Sequence, residues 1–127
     1  MTDEKKRAGE REKMNTEKAV VYINSETIGR GSDELGAILM RSFLYTSKDQ
    51  EKKPWRIIFI NSGVKLVTEG SPYIDVLNEI INTGTEILSC GTCLDYFKLK
   101  DKVRAGKVSN MTEIVSSLSE ATKVVKP

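Results

Sequence analysis

The stretch Glu86–Cys93 (EILSCGTC) decides the fold of this chain, because a short apolar run leads straight into a turn that contains both cysteines. The run is typical of a buried strand, and the cysteines stand where a helix should begin. Two more apolar runs, Ala19–Asn24 (AVVYIN) and Arg56–Asn61 (RIIFIN), have the composition of strands that are covered on both faces. Segments with helical spacing separate these runs. This alternation predicts parallel strands that are joined by helices.

Capping residues mark the predicted helices between the strands. Ser32 is a good N-cap for the first helix, and Ser71 with Pro72 begins the second. Asn110 and Glu113 form a predicted capping box for the last helix. Apolar residues at helical spacing define an apolar face on the first helix: Leu35, Ile38, Leu39 and Phe43. A similar set predicts the buried face of the second: Tyr73, Ile74, Leu77, Ile80 and Ile81.

Further elements complete the predicted domain. A short helix is expected from Leu94 to about Lys98, and short strands at Gly106–Ser109 and Thr122–Val125. We therefore predict an α/β fold over residues 19–127: a three-layer α/β/α sandwich with a mostly parallel sheet of about five strands. Residues 1–18 contain eleven charged side chains of both signs, which predicts a disordered tail or linker.

The composition excludes several classes of function. The 127 residues include 20 Lys or Arg and 18 Asp or Glu, and this near-neutral balance argues against a nucleic-acid partner. No apolar run approaches the roughly 20 residues that span a bilayer, so we expect a cytoplasmic protein without a membrane partner. The absence of histidine excludes a Ser-His-Asp triad, a Cys-His pair and any imidazole metal site.

The CGTC sequence, with Cys90 and Cys93, is the most informative motif. Its position before a helix predicts that free N–H groups favour the thiolate, which is the reactive form of cysteine. Two ordinary thiols in a strand-to-helix turn are the plainer alternative. A metal site is the weaker one, because two thiolates supply half of a zinc site and the rest must come from a second subunit or from carboxylates such as Asp95.

Three loops should meet at the carboxyl edge of the sheet, where parallel strands end: residues 25–32, 62–70 and 90–93. These loops, with Asn61 at the end of the second strand, supply the candidate substrate-binding residues Gly91, Thr92, Lys65, Arg30, Asn61 and Gly63. The glycines beside Arg30 match no phosphate-binding pattern, so a tight turn is the favoured interpretation of that loop. The segment Asn61–Gly70 is either a lid or partner contact, or a turn whose apolar residues pack inward.

Three segments of the chain resemble a known group of proteins. They are Val21–Phe43 (VYINSETIGRGSDELGAILMRSF), Phe59–Ser71 (FINSGVKLVTEGS) and Ile87–Val115 (ILSCGTCLDYFKLKDKVRAGKVSNMTEIV). They are similar to the C-terminal, DsrE-like domain of the YedF group of sulfurtransferase-like proteins, which is associated with selenium metabolism. The resemblance extends over about Ala19–Val125, and its most specific element is CGTC with the following KLKDK.

The resemblance implies a parallel α/β fold, a homo-oligomer, and a cysteine that accepts a persulfide from a TusA-like carrier. The matching cysteine is Cys90, and Cys93 is an additional thiol. YedF-type proteins usually carry a preceding TusA-like domain with a Cys-Pro pair, and this sequence contains no such pair. We therefore expect that this sequence is either one domain of a longer protein or a standalone form of the DsrE-like domain.

Three functions follow from these residues. The first is a sulfur or selenium relay on Cys90 and Cys93, without a cofactor or metal, in which Cys93 resolves the persulfide or protects Cys90 as a disulfide. The second is a dithiol–disulfide oxidoreductase, although no proline within the fold follows the cysteines, as a thioredoxin-like site would require. The third is a non-catalytic oligomeric module that binds a partner or senses redox state.

Overall fold

The protein is described by a computed structural model, which defines the structure of residues 17–127. Most of the predicted tail, residues 1–16, lies outside the described residues. Lys18, within the described residues, forms two backbone hydrogen bonds with Thr122, one to the Thr122 hydroxyl and one from the Thr122 N–H.

Five parallel strands form a single sheet, which confirms the predicted α/β fold. The strands are β1 (Ala19–Ile23), β2 (Arg56–Phe59), β3 (Glu86–Cys90), β4 (Lys107–Ser109) and β5 (Lys123–Val125). Their order in the sheet is β4-β3-β2-β1-β5, and every neighbouring pair runs in the same direction. The last connection therefore crosses from one edge of the sheet to the other.

Helices connect the strands and cover the sheet unequally. Residues 17–127 contain four α-helices: α1 (Asp33–Asp49), α2 (Ile74–Asn82), α3 (Gly91–Tyr96) and α4 (Met111–Glu120). Two 3₁₀ segments, Asn61–Val67 and Lys100–Lys102, complete the described elements. Buried residues of α1, α2 and α3 pack on one face of the sheet, whereas α4 alone contributes a buried apolar residue to the other face.

The two faces carry separate apolar cores because side chains alternate along each strand. The larger core contains fifteen buried residues, among them Phe59 of β2, Leu77 of α2 and Leu94 of α3. The smaller core has only five buried residues: Val20, Ile58, Leu88, Cys90 and Ile114. Cys93 is partly buried and packs against both cores.

Most of the apolar face of α1 is exposed in the structure. Leu35, Ile38 and Leu39 are 53%, 55% and 41% exposed, and the buried residues are instead Gly36, Met40 and Leu44. Ser32 does cap this helix, since its side chain accepts a hydrogen bond from the Leu35 N–H. The helix and its N-cap are therefore predicted correctly, and the side that it buries is a finding of the structure.

Two predicted helix starts also differ from the structure. Ser71 accepts a hydrogen bond from the Tyr73 N–H within a turn, and α2 begins at Ile74 without a side-chain cap. The helix after the cysteines begins at Gly91, not Leu94, and it ends at Tyr96. Cys93 consequently lies inside α3.

Candidate functional site

Cys90 and Cys93 lie at the junction of β3 and α3. Cys90 is the last residue of β3 and the N-cap of α3, and Cys93 is the third residue of the helix. The side chains at these two helix positions are neighbours, as the reciprocal bonds of a capping box illustrate. Cys93 packs against the smaller core, which contains Cys90, and both cysteines are free thiols.

The two thiols differ sharply in exposure. Cys90 is 1% exposed and belongs to the smaller core, where Leu88 and Ile114 are its apolar companions. Cys93 is only partly buried. A dissolved reagent therefore meets the Cys93 thiol first.

A backbone N–H points at the Cys93 sulfur. The Asn61 N–H donates a hydrogen bond to Cys93 Sγ over 3.1 Å. Asn61 begins the 3₁₀ segment with a φ of 51°, a left-handed conformation that asparagine tolerates better than most residues. The Asn61 side chain is occupied locally, since its Oδ1 accepts from the Ser62 N–H at 2.8 Å. Asn61 thus acts on the thiol through its backbone.

One cation and two aromatic rings lie together at the end of α3. Lys65 Nζ lies 4.6 Å from the centroid of the Phe97 ring and 4.0 Å from Glu26 Oε1. Phe97 packs edge-to-face on Tyr96, with the ring centroids 5.1 Å apart. Tyr96 is 81% exposed and follows Cys93 by three residues. This exposed aromatic side chain was not predicted, although a Tyr-Phe pair one helical turn after a cysteine is visible in the sequence.

The predicted activation of a thiolate is wrong for Cys93. Burial raises the pKa of the Cys93 thiol above its ordinary value, and the hydrogen bond from the Asn61 N–H acts in the opposite direction. The neighbouring Cys90 raises this pKa further. The resting thiol is consequently protonated at neutral pH, and proton removal must accompany its reaction.

Two candidate glycines serve packing. A Cβ atom at Gly63 would lie 2.6 Å from the Ile23 carbonyl oxygen, and one at Gly91 would lie 2.9 Å from the Ser109 carbonyl oxygen. Both positions therefore require a residue without a side chain. Gly63 lets the 3₁₀ segment approach the end of β1, and Gly91 lets α3 begin close to β4.

The loops that were expected to meet at this edge do so in part. The Glu26 N–H donates to Ser62 Oγ at 3.3 Å, which joins the loops after β1 and β2. Val64, Leu66 and Val67 are buried, so the Asn61–Gly70 segment follows the inward-packing alternative. Thr92 is exposed on α3. Arg30 is also exposed, between two glycines with positive φ, and forms no ion pair or side-chain hydrogen bond within residues 17–127.

A polar network lies beside Cys90 on the α4 face of the sheet. Ser109 pairs with Cys90 in the sheet, and its hydroxyl donates to Glu113 Oε1 at 2.5 Å. This hydrogen bond lowers the pKa of Glu113, and the charge of Lys107 adds to the effect. Asn110 Oδ1 accepts from the Glu113 N–H, so half of the predicted capping box is present while the Glu113 side chain bonds to Ser109.

The described part of the chain contains neither a metal-binding cluster nor a membrane-spanning helix. No group of three or more Cys, Asp or Glu side chains within residues 17–127 is placed to hold a metal ion. No helix in the same range has the length and apolar character needed to cross a membrane.

The fold and the paired thiols define a class of protein: an all-parallel α/β domain with a dithiol at the end of its third strand. The chain belongs to the DsrE/DsrF-like family, whose sequence pattern matches residues 18–127. No curated protein is similar enough to match this chain.

Solved structures share the fold at low sequence identity. MTH1491, a protein of unknown function from Methanobacterium thermoautotrophicum, has 20% identity and a TM-score of 0.63, with 87% of this chain and 99% of that chain covered. The ychN protein from E. coli has 15% identity, a TM-score of 0.60 and the same coverage. BT1422 from Bacteroides thetaiotaomicron, a conserved protein of unknown function, has 17% identity and a TM-score of 0.60, with 86% and 94% covered.

Proposed function

We propose that this protein is a sulfur relay in which Cys93 accepts a sulfane sulfur from a donor persulfide. The observation that carries the proposal is the arrangement of the thiols: Cys93 is partly exposed and accepts a hydrogen bond from the Asn61 N–H, while Cys90 is buried behind it. Membership of the DsrE/DsrF-like family supports it further.

The transfer needs only the donor and the Cys93 thiol. Cys93 Sγ attacks the outer sulfur of the donor R–S–SH, the donor S–S bond breaks, and R–S⁻ leaves with the electron pair. The thiol proton passes to the departing R–S⁻, so the products are Cys93–S–SH and R–SH. No cofactor or metal enters this step.

This assignment exchanges the roles that the sequence suggested for the two cysteines. Family resemblance assigns Cys90 as the acceptor, but a thiol that is 1% exposed within an apolar core cannot meet the sulfur of another protein without a structural opening. Cys93 has the necessary exposure and lies one turn from the exposed Tyr96. Cys90 then serves as the second thiol.

The donor and the wider assignment are part of the same proposal. We propose a TusA-like carrier as the donor, in the cytoplasm, and membership of the YedF group within the DsrE-like family. The resemblance of Ile87–Val115 to that group supports both. Selenium in place of sulfur fits the same chemistry, because either atom is transferred by attack of a thiolate.

Intact-protein mass spectrometry after incubation with a cysteine desulfurase and cysteine tests the proposal. Cys90→Ala should gain one sulfur atom that a reductant removes, whereas Cys93→Ser should gain none. Cys90→Ala is preferred to Cys90→Ser because a hydroxyl would be left unpaired in an apolar core. A gain of sulfur by Cys93→Ser contradicts the proposal. So does the absence of any gain in both variants when a TusA-like carrier is present.

A dithiol–disulfide oxidoreductase is the second candidate, because the two thiols are neighbours at the start of α3. Its signature would be turnover of a disulfide substrate by the reduced protein without any uptake of sulfur. A protein that neither takes up sulfur nor reduces disulfides would instead be a non-catalytic binding or redox-sensing module.

We also propose that the chain forms a homo-oligomer through α1. Leu35, Ile38 and Leu39 form an exposed apolar stripe on this helix, and such a stripe is typical of a protein contact. Light scattering should show an oligomer for the natural chain and a smaller species for Ile38→Glu. A monomeric natural chain, or an Ile38→Glu variant of unchanged size, contradicts this assignment.

A further inference from the structure

The surroundings of Cys90 restrict what this thiol can react with. Its neighbours in the smaller core are the apolar residues Val20, Ile58, Leu88 and Ile114, and the thiol is 1% exposed. Bulky protein or small-molecule sulfur donors have no path to it in this arrangement. The second thiol beside this core is that of Cys93, which packs against it.

The local geometry favours attack on Cys93 Sγ. The N-cap position of Cys90 and the third helical position of Cys93 bring the two side chains together. The Cys90 side chain forms no cap hydrogen bond to the helix backbone, so no such bond must break before it reacts. A sulfur carried on Cys93 is bonded to Cys93 Sγ, and attack at Sγ is the attack that forms a disulfide between the two cysteines.

We propose that Cys90 discharges the sulfur held on Cys93 as hydrosulfide, which makes the site a source of reduced sulfur rather than only a persulfide carrier. This inference rests on the proposed function, because it starts from the Cys93 persulfide. Cys90 Sγ attacks Cys93 Sγ, the bond from Cys93 Sγ to the sulfane sulfur breaks, and a Cys90–Cys93 disulfide forms. The sulfane sulfur takes the electron pair and the Cys90 proton and leaves as H₂S or HS⁻.

The electrons in this step balance within the site. The two cysteine sulfurs are oxidised to the disulfide, and the sulfane sulfur is reduced by two electrons. The disulfide then blocks further uptake, because Cys93 is no longer a thiol. A second dithiol, acting as a reductant, must restore both thiols before the next cycle, and uptake is thereby coupled to the supply of reducing equivalents.

The test follows sulfide and mass after one loading of the reduced protein by a cysteine desulfurase with cysteine, under anaerobic conditions and without added reductant. The natural chain should release about one sulfide per chain and lose two hydrogen atoms, as expected for thiol–disulfide exchange. Cys90→Ala should keep the added sulfur and release at least about ten-fold less sulfide over the same time. Cys93→Ser should do neither, and it measures the background release by the desulfurase.

The outcomes separate this inference from the proposed function. If the natural chain keeps the added sulfur as long as Cys90→Ala does, the relay stands and the discharge by Cys90 is wrong. If Cys90→Ala takes up no sulfur, the relay itself is wrong. A disulfide that forms without stoichiometric sulfide also overturns the inference, since it shows direct oxidation of the two thiols.

Discussion

The two faces of the sheet are built differently. On one face, three helices cover a core of fifteen buried residues that includes Phe59 and Leu77. On the other face, α4 covers five buried residues, and polar contacts continue the packing. Arg56 donates to Ser117 Oγ at 2.6 Å and lies 3.6 Å from Glu86, while Ser109 binds Glu113.

The difference explains why the thiols lie where they do. The larger core supplies most of the buried apolar surface, which is the main favourable contribution to folding. The thinner face holds Cys90 beneath a single helix, and Cys93 packs against both cores at their common boundary. The two thiols at this boundary therefore have the larger core on one side and the smaller core, covered by α4, on the other.

The largest expected effect is on the free energy of unfolding, when a buried residue of α2 in the larger core and one of α4 in the smaller core are each truncated. Leu77→Ala should lower the free energy of unfolding by about 4 kcal/mol, whereas Ile114→Ala should lower it by about 2–3 kcal/mol. Both side chains are fully buried, but partly buried Tyr22 and Trp55 at the margin of the smaller core can move into the space that Ile114 leaves. Urea unfolding measures both values.

Val115→Ala is the matched control, because Val115 lies next to Ile114 in α4 and is 53% exposed. It should change the unfolding free energy by less than about 0.5 kcal/mol. An Ile114→Ala variant that is as destabilised as Leu77→Ala would mean that the two faces are equally well packed, and the comparison would fail.

A smaller effect on the free energy of unfolding should come from the Glu113 carboxylate, which lies on the face with the smaller core. Because the pKa of Glu113 is lowered in the folded protein, its ionised form stabilises the fold above the ordinary glutamate pKa. That contribution disappears as the pH falls through the lowered pKa. Glu113→Gln should cost about 0.5–1 kcal/mol at neutral pH, a modest value because the side chain is 33% exposed.

Urea unfolding of both proteins at pH 7 and at progressively lower pH checks this sign. The difference between natural protein and Glu113→Gln should shrink towards zero as Glu113 becomes protonated. Glu120→Gln is the control, since Glu120 lies on the same helix and its side chain is 56% exposed. A difference that grows on acidification would contradict the assignment of the lowered pKa to folding.

Much of the fold could be predicted because strands and helices of this chain have distinct local patterns. The β-branched runs at β1 and β2, and Ser32 and Asn110 as N-caps, are signals carried by neighbouring residues. The position of the cysteines after β3 was predicted in the same way. The family resemblance added the overall order of these elements.

The orientation of α1 could not be predicted in this way, because two apolar sets share its helical spacing. Leu35, Ile38 and Leu39 form one set, and the buried set includes Gly36 and Met40. The loop after β1 decides between them, since it packs directly on Gly36, where a Cβ atom would lie 2.8 Å from Thr27 Cβ. This is a tertiary contact that no local pattern contains.

The unequal exposure of the thiols was missed for a similar reason. Cys90 is buried because it faces the side of the sheet that α4 covers. α4 lies within the connection from β4 to β5, which crosses this side from one edge of the sheet to the other. The spacing of the CGTC motif gives no information about this crossover. The raised pKa of Cys93 follows from burial, which spacing does not reveal either.

Alkylation of the natural protein under native conditions, followed by peptide mapping, tests the central claim most directly. Iodoacetamide should label Cys93 and leave Cys90 unmodified until the protein unfolds, because Cys93 is partly exposed whereas Cys90 is 1% exposed. The label should enter more slowly at neutral pH than in the unfolded chain, since burial raises the pKa of Cys93. Rapid labelling of Cys90 in the folded protein, with Cys93 spared, would contradict the division of roles between the two thiols.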